Sequence, residues 1–130
     1  MAPVAPGELT SSQRAELDRV IRAAEQATRF EFSLFRGVVT GEPREFARRL
    51  HAALASPDRS VLVMVDPTAH LLEVVTGAEV RRHLTDAEVE LAVAEMATTM
   101  AGGDEVAGLK RGIALLAEHA IPPRTLHSGS

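Results

Sequence analysis

The stretch SVLVMVDPTAHLLEVVTG, Ser60 to Gly77, decides the fold. Ser60 to Val65 is a nearly continuous apolar run, which a central strand covered on both faces requires. Asp66-Pro67-Thr68-Ala69 reads as a tight turn with proline at its second position. His70 to Val75 returns as the partner strand, so the segment forms a hairpin, and Gly77 breaks it.

Upstream, Phe30 to Phe35 alternates apolar and polar residues, which predicts a strand with Phe30, Phe32 and Leu34 on its buried face. Thr40-Gly41-Glu42-Pro43 is a turn, and Pro43 suits the first turn of a helix. That helix carries Phe46, Ala47, Leu50, Ala53 and Leu54 and ends at Ser56-Pro57. Before the strand, Thr10 and Gln13 have capping-box spacing with Leu9 as an apolar lead-in. Leu17, Val20, Ile21, Ala24 and Ala27/Thr28 follow as a helical stripe, with Arg19, Arg22, Gln26 and Arg29 on the solvated face.

Downstream of Gly77, a short helical piece leads to a second box, Thr85 to Glu88. Val89, Val93, Met96, Ala97 and Met100 give the next stripe, and Gly102-Gly103 stops it. Asp104 caps a last helix whose stripe is Val106, Leu109, Ile113, Leu116 and Ala117. Residues 1–8, rich in proline and alanine, are expected to be disordered, and 121–130 to form a loose tail around one domain, 9–120. The element order α-β-α-β-β-(short α)-α-α implies an α/β fold. It is a small mixed sheet with helices on both faces, a three-layer α/β/α sandwich.

Composition narrows the partners. The 130 residues include four Phe, no Tyr and no Trp, so the core is aliphatic and methionine-rich. Few aromatic rings for stacking bases, and 14 basic against 18 acidic residues (net −4), argue against nucleic acid. The absence of cysteine excludes disulfides, thiolate zinc sites and a cysteine nucleophile. The start, MAPVAPGELT, has no signal-peptide pattern, and no apolar run is long enough to span a bilayer; the cytoplasm is the expected location. His51, His70, His83, His119 and His127 fit no HExxH spacing, no serine lies in a GxSxG elbow, and no GK[ST] follows Gly102-Gly103.

The chemistry, if any, is expected just past the hairpin. There VVTGAEVRRHLTDAE, Val74 to Glu88, brings Glu79, Arg81, Arg82, His83 and Asp86 together. The order of pieces here resembles the TPM domain family, in a short variant similar to actinobacterial domains of unknown function. The pieces are Leu9-Thr10…Gln13, Glu31-Phe32-Ser33-Leu34, Glu45-Phe46-Ala47 and Asp58-Arg59-Ser60-Val61-Leu62-Val63. They continue with Val75-Thr76-Gly77, Leu84-Thr85-Asp86 and Gly102-Gly103-Asp104. The resemblance implies the same sandwich and a metal pocket at the strand ends, with Asp58, Asp86 and Glu79 as the candidate ligands. It also puts Arg81 where many relatives carry a carboxylate. Calcium takes roughly six to eight oxygen ligands, and a guanidinium among them removes one and adds a repelling charge.

The expectation is therefore no bound cofactor, with calcium or magnesium as the ion if the pocket works. Arg81 and Arg82 are expected to act as an anion or salt-bridge pair, with Arg81 reaching Asp86 or Asp58. The leading functional expectation is a non-catalytic interaction or regulatory module with an unidentified protein partner. The alternative is a metal-dependent phosphatase or hydrolase using Asp58, Asp86 and either Glu79 or Asp66. Self-association through the Val89–Met100 helix is a third course.

Overall fold

A computed structural model describes residues 7–121. Of the expected flanking segments, 1–8 and 121–130, all but Gly7, Glu8 and Ile121 lie outside the described residues. The chain runs α1 (Ser11–Thr28), β1 (Glu31–Arg36), α2 (Pro43–Ala52), a 3₁₀ turn (Pro57–Arg59), β2 (Ser60–Asp66) and β3 (Leu71–Thr76). A second 3₁₀ turn (Val80–Arg82), α3 (Asp86–Ala101) and α4 (Glu105–Ala120) complete it.

The sheet has the order β1-β2-β3, with β1 parallel to β2 and β3 antiparallel to it. Every residue of β2 is buried, as its apolar run requires. Val61, Val63 and Val65 face a cluster supplied by α1, α3 and α4, including Leu17, Met96, Leu109, Ile113 and Leu116. Leu62 and Met64 face the other way, onto Ala47, Phe46 and Leu50 of α2. These are the three layers of an α/β/α sandwich. Among the described residues no helix is long and apolar enough to cross a membrane.

Local chemistry sets the helix ends. The Thr10 hydroxyl accepts from the Gln13 amide at 3.1 Å, while the Gln13 side chain accepts from the Thr10 amide at 2.8 Å. Thr85 and Glu88 repeat this at the start of α3, and Asp104 accepts from the Ala107 amide at 3.0 Å to begin α4. Three details differ from expectation. His70 belongs to the hairpin turn with φ of 57°, so β3 starts one residue later. The second helix ends at Ala52, leaving Ala53 as an exposed cap. In α3 the buried alanine is Ala92, not Ala97, because apolar residues surround that helix and blur its stripe.

Candidate functional site

Because β3 runs against β1 and β2, its end at Thr76 sits opposite Val61, beside the amino-terminal ends of the parallel pair. The corner rich in charge is thus at the opposite edge from the strand carboxyl ends where α/β proteins usually hold ligands. Backbone bonds close this corner. The Gly77 amide donates to the Ser60 carbonyl at 3.0 Å, and the Glu79 amide to the Asp58 carbonyl at 2.9 Å. A Cβ at Gly77 would lie 2.0 Å from the Pro57 carbonyl oxygen, so glycine is there to let two backbone segments touch.

The charged side chains of the corner serve the same closure. Glu79 sits 3.2 Å from Arg82 and 3.7 Å from Arg59. The Arg59 guanidinium lies 5.1 Å from the Phe30 ring centre and donates to the Arg29 carbonyl at 2.9 Å. Arg29 is the left-handed cap of α1. Arg82, expected to serve an anion or a salt bridge, lies beside Glu79. The expected pairing of Arg81 with Asp58 or Asp86 is not formed among the described residues. Its guanidinium donates instead to the Thr76 carbonyl, five residues back. Asp86 is exposed at the first position of α3, where its charge suits the positive helix end, and Asp58 is exposed in its 3₁₀ turn. Asp58, Glu79 and Asp86 do not form a cluster. Among the described residues no three His, Asp or Glu side chains are grouped to hold a metal ion.

The carboxyl edge of the parallel pair carries Arg36 and Asp66. Arg36 holds Glu105 of α4 through two bonds, from Nε to Oε2 and from Nη2 to Oε1 at 2.8 Å. Asp66, only 4% exposed, accepts from the Val39 amide at 3.0 Å and the Ala69 amide at 3.1 Å. Those amides, Val39 first, hold its carboxyl below the usual carboxylate range. A pocket of about 370 Å³ opens here between the hairpin turn and the turn joining α3 to α4, walled by Leu71, Leu72, Met100 and Glu105. Asp66 therefore works as a loop anchor, tying both the hairpin turn and the segment after β1.

A second depression, about 490 Å³, runs along the free edge of β3 between the two helical layers. The Gly77–Ser60 bond fixes the antiparallel alternation, so the backbone groups of Leu72, Val74 and Thr76 point away from β2. Two of those carbonyls are covered. Arg44 of α2 donates to Val74 at 2.7 Å, and Arg81 donates to Thr76. The far edge is treated in the same manner, with Glu25 of α1 accepting from the Phe32 amide at 3.0 Å. Sequence reading missed Arg44, Glu25, Arg36 and Glu105 because their partners lie 7 to 69 residues away and no periodicity marks such pairs.

Comparison with known proteins places this architecture. A family model matches residues 4–117, that of the domain of unknown function DUF5130. The chain belongs to the DUF5130 family. Two strains of Mycobacterium tuberculosis carry an uncharacterized relative 27% identical to this DUF5130 chain over 123 residues, covering 90% of the chain and 74% of the relative. The BA42 protein of Bizionia argentinensis has a similar fold, with a TM-score of 0.79 and 16% identity over 90% of this chain and 84% of that one. So does the N-terminal domain of a Corynebacterium glutamicum protein, with a TM-score of 0.73 and 13% identity, covering 89% and 76%. The TPM resemblance drawn from the sequence is corrected by the DUF5130 match. Its pieces are helix caps, the entrance to a central strand and a close-approach glycine, which this element order needs whatever family fills it. The metal pocket that the resemblance implied loses its support with it.

Proposed function

We propose that this DUF5130 domain is a non-catalytic module that acts by binding a partner rather than by transforming a substrate. The observation behind the reading is how the polar groups past β3 are used. Glu79 bridges Arg59 and Arg82, Arg81 holds the Thr76 carbonyl, and the Asp58 and Glu79 backbones are bonded to each other. Metal-assisted phosphoryl transfer needs at least two carboxylates converging on one ion. Asp86 instead faces the groove beside β3, whose walls do not include Asp58. At the carboxyl edge Asp66 and Glu105 are likewise held, by backbone amides and by Arg36.

Thermal melts with calcium, magnesium, manganese or EDTA, together with p-nitrophenyl phosphate turnover, test this reading. No ion is expected to move the melt and no turnover is expected. A bound ion at a hundredfold excess over its dissociation constant stabilises by about 2.7 kcal/mol. A shift of that size, lost in Asp86→Ala or Asp58→Ala, sinks the reading and restores a metal-dependent hydrolase.

A further inference from the structure

We infer that the groove along the free edge of β3 docks an extended segment of a partner protein that carries lysine or arginine at alternate positions. The inference rests on the reading that the domain works by binding, and it names the place and the chemistry of the partner. Two independent observations meet in the groove, and the first is a row of main-chain donors. Val74 is 3% exposed and Thr76 7% exposed, and their amides point away from β2 together with that of Leu72. Among the described residues no side chain or loop carbonyl accepts from these three amides. Buried main-chain donors are almost always paired in native proteins, so donors at strand spacing call for the carbonyls of an added β-strand.

The second observation is the charge of the lining. Glu73, Asp86, Glu90 and Arg44 face the groove. Arg44 and Glu73 lie 3.2 Å apart and neutralise each other. Asp86 and Glu90 are exposed and have no ion-pair partner among the described residues. Two uncompensated negative charges therefore remain, and they favour a segment of the opposite sign. They stand about 6 Å apart along the axis of α3, close to the roughly 7 Å between alternate residues of a strand. Alternate side chains of an added strand point to the same layer, so two basic residues separated by one can meet both carboxylates. Their methylene stems cover Val89 and Val93, half-buried on the same wall. The intervening side chains face α2 and its neutral Arg44–Glu73 pair, which suits short polar residues. The amide of the docked strand replaces Arg44 on the Val74 carbonyl while Arg44 keeps Glu73, so docking leaves no charge unpaired. An acidic segment meets Asp86 and Glu90 as like charges, and a second copy of this chain brings the same acidic wall. The lining thus selects against both.

The test uses the whole chain and two acetylated, amidated heptapeptides, one alternating lysine with threonine and the other glutamate with threonine. Amide NMR titration and hydrogen exchange follow Leu72, Val74 and Thr76. The lysine peptide is expected to shift and protect these three amides, and to bind at least about tenfold more tightly than the glutamate peptide. The double variant Asp86→Asn with Glu90→Gln, at exposed positions, is expected to fold and to lose most of that preference, and Glu90→Gln alone to lose part of it. Asp18→Asn with Glu118→Gln removes the same net charge at exposed positions outside the groove and is expected to keep the preference. Unmoved amides with the lysine peptide, equal binding of both peptides, or full protection of the three amides in the free chain each overturns the inference. So does an equal loss of preference in the two double variants, which would assign it to the overall charge of the chain. Protection that grows with protein concentration alone also overturns it, in favour of a second copy as the occupant. The metal and phosphatase assays bear on the binding reading separately, so the two can fail independently.

Discussion

The Arg44 guanidinium, reaching from α2, donates to the Val74 carbonyl at 2.7 Å and to the Glu73 carboxylate at 3.2 Å. It thereby covers part of the outer edge of β3, and Arg81 covers the next outward carbonyl. An open strand edge is a template for pairing with any other chain, and charged side chains laid across it are a common safeguard. Arg44→Ser is therefore expected to raise self-association, and the double variant with Arg81→Ser to raise it further. The stability loss should stay near about 1 kcal/mol, because the Arg44 side chain is 42% exposed. Sedimentation velocity across a concentration series checks this. A double variant that stays as monomeric as the parent at high concentration removes the edge-cover role.

Gly77 should tolerate no side chain. Its Cβ would stand 2.0 Å from the Pro57 carbonyl and 2.4 Å from the Asp58 carbonyl, and both are backbone atoms tied into the corner. Gly77→Ala must push the 3₁₀ turn away from β3 and break the Glu79–Asp58 bond of 2.9 Å. A cost at or above the top of the usual overpacking range, about 3 kcal/mol, is expected, seen as a melt lowered by roughly 10 °C. Gly102→Ala, which meets nothing closer than 3.4 Å, serves as the control and should change stability by less than about 0.5 kcal/mol. Similar melts for both variants would show that the corner yields easily.

Acid stability should depend on Asp66. The Val39 amide, then those of Ala69 and Thr68, lower its carboxyl pKa in the folded chain. A carboxylate with a depressed folded pKa adds stability above its unfolded value, near about 4, and loses it as pH falls through the folded one. Glu88, lowered chiefly by the Thr85 amide, and Glu16, lowered by Lys110, act in the same direction. Asp66→Asn offers one acceptor where two amides need two, so it should be clearly less stable at pH 7. The gap to the parent should narrow as pH drops from about 5 to about 2, since asparagine has no proton to gain. Urea midpoints measured across that range decide it. Parallel curves would mean that the Asp66 charge contributes nothing to acid sensitivity.

What the sequence reveals follows from the range of each interaction. The β2–β3 hairpin is legible because cover on both faces forces the run from Val61 to Val65 to be apolar throughout. The caps at Thr10, Thr85 and Asp104 are legible because their partners lie three residues on. Arg81 is not, since a basic run beside Asp86 suggests an ion pair while its guanidinium in fact turns back to a strand carbonyl. Nor is the role of Gly77, which depends on Pro57 arriving from another part of the chain. The candidate site suffered most. Residues that look like ligands along the sequence, Asp58, Glu79 and Asp86, are distributed by the fold over separate duties, and the sheet edge guarded by Arg44 has no local signature.

The contact of α3 with α4 offers one more pair to separate. Gly108 and Gly112 line the α4 side, and a Cβ on Gly112 would fall 2.0 Å from Cγ and 2.2 Å from Sδ of Met96, which is wholly buried. The two helices thus approach closely because a glycine leaves room for a methionine. Gly112→Ala should cost about 2 kcal/mol through overpacking, and Met96→Ala about 3 kcal/mol through the cavity it leaves. In the double variant the new methyl group enters space that Met96 has vacated, so its loss should fall short of the sum by about 1 kcal/mol or more. Denaturant unfolding of the four proteins gives this coupling directly. Strictly additive losses would mean that Met96 moves aside freely, and that the close approach of the helices does not depend on this fit.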